Sequence, residues 1–519
     1  MTVFASASRR MFLKRGAAGL LIVATPRVLR AAVPRFRSNP FLLGVASGYP
    51  TSHGFVLWTR LITSLAEPKQ DLADDAIPVL FEVATDDRFR AVVAKGTDYA
   101  TPDVAHSVHV EVAGLRPGRD YWYRFTAGGV QSSVGHTRTA PAADANPERL
   151  RIAVASCQKY ESGYFTAYRH MCNDHPDLIV HVGDYIYEYV SHNEGASVRG
   201  DGSGPLSTLD DYRARYALYK SDADLQAAHA ACAWLVTWDD HEVANDYAGD
   251  ASYAESGDTL LARRAAAYRA YYEHMPLPRS AMPTGSAMYL YAKSTFGKLA
   301  QVHMLDSRQY RSPLACLGAD AGSGPGAHCA ELFDEARTML GAQQEAWLRD
   351  TLMSSHARWN VLAQGTPMTY TDWDPSHGVS FRRDQWDGYP AARQRLLDAL
   401  VASKASNPIA INGDIHAFQV ANLHRRANDP RTPVVASEFT TTSISSGGFA
   451  QSRLDANKKN NPNILFSDSR HRGYLLLDFS AQHLRADLIT VETVKRPAAS
   501  RGMLASFVVE SGKLGSVRG

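Results

Sequence analysis

At 519 residues the chain is long enough for two or three domains and a large core. Hydrophobic residues make up 45% and charged residues 21%, the ordinary balance of a globular protein. The net charge of +2 is unevenly spread, because residues 1–32 hold six basic side chains (Arg9, Arg10, Lys14, Arg15, Arg27, Arg30) and no acid. The remainder is therefore about −4, which gives no case for a nucleic-acid partner or an anionic membrane surface.

Ser8-Arg9-Arg10-Met11-Phe12-Leu13-Lys14 resembles a twin-arginine export signal, and a weakly apolar segment, Gly16–Thr25, follows it. That segment is too short to span a bilayer. Residues 1–32 are thus expected to be a signal peptide, with the twin-arginine export machinery as partner and a periplasmic or secreted destination. A clean small-x-small cleavage site is missing, and Ala31-Ala32 is the nearest candidate.

Residues 40–138 read as all β. A hairpin pattern, Phe41–Pro50 and Phe55–Arg60, is followed by Val108, Val110 and Val112 alternating with polar residues, then by Tyr121, Tyr123 and Phe125 on one strand face. Leu115-Arg-Pro before Tyr121 resembles the tyrosine corner of immunoglobulin-like and fibronectin type III sandwiches. Ala140–Pro147 reads as a linker.

From Leu150 strands and helices alternate. The predicted strands are Arg151–Ala155, Leu178–Val182, Ala233–Thr237, Leu299–Leu305, Trp359–Leu362 and Pro408–Asn412. The predicted helices are Tyr164–Asn173, Leu209–Tyr219, Thr259–His274, Gln343–Leu352 and Ala391–Ser403. This βαβ series implies a central, mostly parallel sheet covered by helices. Val434–Thr440, Tyr474–Phe479 and Leu484–Val491 read as later strands closing a second sheet. Residues 150–496 form the expected second domain, and residues 497–519 a tail whose Leu504–Gly519 stretch is able to fold over an opening.

Five of these strands end in chemistry-bearing residues: Ser156-Cys157-Gln158, Gly183-Asp184-x-x-Tyr187, Asp239-Asp240-His241-Glu242 with Asn245, Asp306-Ser-Arg308, and Gly413-Asp414-Ile-His416. Ligands of open α/β sheets bind at this carboxyl edge. Read alone, Asp184 would cap a turn and Tyr185 and Tyr187 would pack as aromatics. Five strands delivering metal-ligand types to one edge of one sheet point instead to a metal site. Carboxylate and amide oxygens suit hard cations, His and Cys suit iron or zinc, and Tyr favours a trivalent ion. More than one ion is implied, and ions sharing a carboxylate suit phosphoryl chemistry.

Ser-Cys-Gln, His-x-Gly-Asp-Tyr-Ile-Tyr-Glu, Trp-Asp-Asp-His-Glu, Leu-Asp-Ser-Arg-Gln-Tyr-Arg and Gly-Asp-Ile-His resemble the alkaline phosphatase D family, related to purple acid phosphatases and calcineurin-like metallophosphoesterases. The resemblance spans about residues 40–510 and includes Trp386–Pro390 and Thr442–Gly447. It implies an α+β multidomain fold: an N-terminal immunoglobulin/fibronectin III-like β-sandwich, then a four-layer αββα metallophosphoesterase domain. It implies exported phosphomonoesterase or phosphodiesterase activity with one Fe(3+) and Ca(2+), two ions of the latter, acting through a metal-activated hydroxide. Cys157 and Tyr187 then stand as iron ligands, Asp184 as the bridge, His416 at the metal cluster, and Asp414, Asp240 and Asn245 as further ligands. His241 would give a proton to the leaving group and Arg308 would hold phosphate oxygens, each with structural hydrogen bonding as its alternative. His181, Glu188 and Glu242 would support the ligands. Small phosphate esters are the expected substrates and a monomer the expected state, with a phospholipase D-like action on phospholipid or cell-wall phosphodiesters as the alternative.

Among the five cysteines, Cys316 and Cys329 flank a Gly-rich loop and are the expected bridge, Cys172 and Cys232 either pair or are simply buried, and Cys157 is left free. Ser191–Pro205, Cys316–Cys329 and Pro367–Asp387 are candidate lids, with packing on the sandwich as the alternative. Two other classes explain the sequence less well. A cysteine hydrolase on Cys157 leaves Asp184, Tyr187, Asp240 and Asp414 unexplained. An inactive exported binding protein should have lost a ligand, and none is missing.

Overall fold

The computed structural model describes residues 36, 38–65, 72, 76–189, 197–200, 204–252, 254–316, 329–373 and 382–519. The expected signal peptide, most of the Ser191–Pro205 segment, the interior of the 316–329 loop and residues 374–381 lie outside the described residues.

The apolar run Leu178–Val182 forms a fully buried strand at the heart of a ten-stranded sheet. Parallel neighbours flank it: Arg149–Ala155 on one side and Ala233–Thr237 on the other. Strands buried on both faces need continuous apolar sequence, which residues 152–155, 178–180 and 233–236 supply. Alternate residues face opposite ways. Ile152, Val154, Leu178, Val180 and Leu235 pack against Val302, Val361, Ile409 and Phe439 of a second sheet. Ala153, Ile179 and Trp234 pack instead under the helices Thr166–Asn173, Leu209–Lys220, Ala223–Ala231 and Asp258–His274, through Tyr168, Tyr212, Leu225 and Tyr268.

The second sheet has seven strands, among them Ala300–Met304, Trp359–Ala363, Pro408–Asn412 and Val434–Thr440 in parallel. Its outer face carries the helices Gly341–Met353 and Pro390–Ser403. The strands expected in one central sheet are therefore divided between the two sheets, and the chain passes to the second at the hairpin Ala292–Phe296 and Ala300–Met304. The C-terminal strands are also placed differently from expectation. Arg472–Ser480 pairs with Arg149–Ala155 and His483–Val491 follows it, so both extend the first sheet. The tail is not a lid: Arg501–Glu510 pairs along its length with His483–Val491, and Phe507 and Val509 are buried between the sheets.

At the other end of the ten-stranded sheet, Val45–Thr51 pairs parallel with Ala233–Thr237 and continues into Gly54–Arg60 and Ser107–Val112. Gly48 makes that junction, since a Cβ there would lie 2.5 Å from the Pro276 carbonyl oxygen. These three strands pack through Val45, Leu57 and Val110 on Val79, Tyr123 and Phe125 of a five-stranded sheet. The N-terminal segment thus shares a sheet with the rest of the chain. Tyr121 Oη accepts from the Arg116 amide at 3.0 Å. Cys316 and Cys329 are bridged, while Cys157, Cys172 and Cys232 are free thiols. Among the described residues no helix is long and apolar enough to cross a membrane.

Candidate metal centre

The carboxyl ends of strands from both sheets meet at one place. Arg149–Ala155 delivers Cys157, Leu178–Val182 delivers Asp184 and Tyr187, and Ala233–Thr237 delivers Asp239, Asp240 and His241. From the facing sheet, Ala300–Met304 delivers Arg308 and Pro408–Asn412 delivers Asp414 and His416. The chain must turn sharply at each strand end. Cys157, Asp184, Asp414 and His416 all adopt left-handed backbone at φ 56°, 56°, 67° and 52°. Such conformations are costly for residues other than glycine and concentrate at functional sites. Gly183, at φ +108°, permits the close approach, because a Cβ there would lie 2.5 Å from Asp239.

Two groups of ligand atoms result, each within 4.8 Å: Cys157, Asp184 and His416, and Asp184, Asp240 and His241. Asp184 belongs to both. Tyr187 joins the first, with Oη 3.0 Å from Asp184 Oδ2 and 3.0 Å from His416 Nε2. Burial pushes the Cys157 thiol and the Tyr187 phenol well above their ordinary pKa, and the Asp184 charge adds to both. Asp184 Oδ1 and Asp239 Oδ2 are buried without a hydrogen-bond partner. A bound cation would offset this repulsion and occupy Asp184 Oδ1, so the residues fit a metal and the soft-plus-hard donor set fits more than one ion.

Second contacts fix the ligands. Glu242 accepts from the amides of Asp184 (3.1 Å), Tyr185 (2.6 Å) and Asp239 (2.9 Å), clamping two strand ends together. Burial and the Asp184 charge raise its carboxyl to about 8. His241 Nδ1 lies 2.7 Å from Glu188 Oε2, and its Nε2 lies 3.9 Å from Asp240 Oδ2. Burial disfavours imidazolium there, but Asp240 and Glu188 outweigh it and hold the His241 pKa well above the ordinary value. His181 is buried against Tyr185 and Trp234, and burial lowers its pKa to about 3. It packs beneath the site.

Arg308 has the contacts of the structural hydrogen bonding expected as its alternative role. It is fully buried, and its guanidinium reaches Asp239 Oδ1 (Nε, 2.5 Å), Asp240 Oδ1 (Nη2, 3.3 Å) and both oxygens of Asp384 (Nη1, 2.5 Å; Nη2, 2.8 Å). An arginine so occupied joins carboxylates of the first sheet to the loop before Trp386. Asp414 Oδ2 accepts from Thr366 (3.1 Å) and Gln385 (2.8 Å). Asn245 is exposed at the rim, its amide donating to Glu188 Oε1 at 2.7 Å. Sequence reasoning missed Asp384, which lies inside the Pro367–Asp387 segment read as a candidate lid. A cavity of about 650 Å³, lined by residues including Lys298, His356, Arg358 and Asn407, lies at the opposite ends of the second sheet's strands and shares no residue with this site.

Comparison with known proteins agrees with this geometry. The PhoD-like phosphatase family matches residues 152–488, and its N-terminal domain matches residues 28–141. Alkaline phosphatase D of Bacillus subtilis (strain 168) is 44% identical over 495 residues, covering 93% of this chain and 83% of that protein. A solved structure described as "Structure of PhoD" superposes with TM-score 0.89 at 43% identity, covering 93% of each chain. Fold and site therefore define a hydrolase acting on phosphate esters. The chain belongs to the PhoD-like phosphatase family.

Proposed function

We propose that the protein is an exported, metal-dependent phosphoesterase that hydrolyses small phosphate monoesters and short diesters. The observation that carries this reading is the position of Asp184 in both ligand groups, between Cys157, Tyr187 and His416 on one side and Asp240 on the other. Cys157, Tyr187, Asp184 and His416 would hold Fe(3+), and Asp184, Asp240, Asp414 and Asn245 would hold Ca(2+), two ions of it. When bound, these ions activate water as the nucleophile and neutralise charge on the phosphate. His241 is held by Glu188 through Nδ1, which leaves Nε2 to carry a proton to the leaving oxygen. Arg308 acts as a positioning residue that fixes Asp239 and Asp240 against Asp384.

The same reading takes the N-terminal segment as an immunoglobulin/fibronectin III-like sandwich, supported by the Tyr121 bond to the Arg116 backbone. It takes the catalytic region as a four-layer αββα metallophosphoesterase fold, supported by helices packed on the outer face of each of two facing sheets. Export by the twin-arginine route rests on Ser8–Lys14.

Turnover of a nitrophenyl monoester, its bis-nitrophenyl diester and a phospholipid tests the substrate reading. Asp384 is held by Arg308 and Arg311 and its neighbour Gln385 donates to Asp414, so this segment is fixed beside the ligands, which supports a restricted site for small esters. A clear preference for the phospholipid would overturn it in favour of phospholipase-type action.

A further inference from the structure

The segment Thr442–Gly447 supplies no proposed metal ligand, yet it touches three of them. It leaves the second sheet at Thr440 and crosses to the strand ends of the first. The Ser445 and Ser446 amides donate to the Cys157 carbonyl at 3.4 and 3.2 Å, and the Ile444 amide donates to Ser156 at 2.9 Å. Gly447 O accepts from His416 Nδ1 at 2.5 Å, which fixes the tautomer that leaves Nε2 with a lone pair. Ser446 Oγ lies 2.8 Å from Tyr187 Oη and 2.8 Å from the Cys157 carbonyl.

Hydrogen counting decides what Ser446 does. Its hydroxyl has one hydrogen and two acceptors within reach. The Cys157 carbonyl already receives two amides, and the Lys159 amide donates into Ser446 Oγ at 3.2 Å. The hydroxyl hydrogen is therefore available to Tyr187. A phenol oxygen serving as a metal ligand has lone pairs to accept with and no proton to give. Its other close neighbours, Asp184 Oδ2 and His416 Nε2, then present acceptor atoms. Ser446 is also buried, which strengthens such a bond.

We propose that Ser446 is a positioning residue that donates to the Tyr187 oxygen and thereby sets its strength as an iron ligand, with residues 442–447 as the support that locks Cys157, Tyr187 and His416 together. This rests on the reading of Tyr187 as an iron ligand. A hydrogen bond to a phenolate oxygen lowers its filled orbitals, so removing that bond moves tyrosine-to-iron charge-transfer absorption to longer wavelength.

The test is the visible spectrum and iron content of the purified holoenzyme for wild type, Ser446→Ala, Ser446→Thr and Tyr187→Phe. The expected result is a band that Tyr187→Phe abolishes, that Ser446→Ala moves to longer wavelength, and that Ser446→Thr, which keeps the hydroxyl, returns toward wild type. Loss of iron in Ser446→Ala with retention in Ser446→Thr supports the proposal equally. An unmoved band in Ser446→Ala, or equal effects of Ala and Thr, would overturn it alone. A spectrum that Tyr187→Phe leaves unchanged, beyond any Cys157 thiolate-to-iron absorption, would overturn the ligand reading, and this proposal with it.

Discussion

His241 is the side chain whose surroundings most constrain its chemistry. Glu188 holds one ring nitrogen, Tyr187 packs on the ring at 4.3 Å, and Asp240 and Asp184 keep imidazolium favourable. If it delivers a proton to the leaving oxygen, its importance should follow the leaving group. His241→Ala is expected to lower turnover of an alkyl phosphate by about 10²–10⁴-fold. The loss should be much smaller for a nitrophenyl ester, whose leaving group departs without protonation. Parallel kcat/KM measurements on the two substrates check this; equal losses would mean the imidazole only orders the site. The ligand types were legible at this scale because each sits just past an apolar run, as Cys157 and Asp184 do. The fate of Arg308 was not legible. Its partner Asp384 lies 76 residues away, and no local pattern announces that an arginine will be surrounded by carboxylates.

Individual strands and helices were legible wherever periodicity and length agreed. Leu178–Val182, Ala233–Thr237 and Pro408–Asn412 fall where the sequence places them. Helix Ala223–Ala231 was missed because it is short and alanine-rich, although Asp222 caps it by accepting from Asp224 and Leu225. That helix receives the N-terminal segment through His136, whose Nδ1 meets the Ala231 carbonyl at 3.0 Å while Nε2 pairs with Asp120 at 3.3 Å. Burial disfavours the His136 cation, but Asp120 outweighs it and raises the pKa; His136 in turn lowers that of Asp120. The imidazolium contribution is therefore complete below the ordinary histidine pKa of about 6.5 and lost as pH rises through the raised value. The carboxylate contribution is present above about 3.9 and lost as pH falls through the lowered value. Asp120→Asn is expected to lower Tm slightly at pH 5.5, by less than about 1 kcal/mol of stability for so exposed a pair, and by less at pH 8.5, where the imidazolium is lost and only the attraction of the carboxylate to Arg138 and Arg119 remains. Thermal melts of both proteins at the two pH values check this.

Sheet membership is where whole-molecule structure departed from the sequence reading. Arg472–Ser480 and His483–Val491 have the composition of core strands, but nothing local says which of two facing sheets they join. Arg501–Glu510 read as a tail because its alternation is irregular. Phe507 nonetheless inserts between the sheets and meets Phe466 of the second at 5.8 Å. Removing residues 497–519 is accordingly expected to give insoluble or unfolded protein and not a more open site. Phe507→Ala alone should cost about 3–5 kcal/mol. Denaturant melts measure the variant, and a soluble, fully active truncation would contradict this placement.

Two facing sheets bring Cys157, Asp184, Tyr187, Asp240, Asp414 and His416 together, and the proposed function requires them to hold the ions for phosphate-ester hydrolysis. Metal analysis of the purified protein, paired with phosphatase assays before and after chelation, tests it most directly. The expected result is bound iron and calcium, loss of activity with chelator in step with loss of metal, and recovery when calcium is restored to iron-loaded protein. Full activity in protein free of both metals would contradict it.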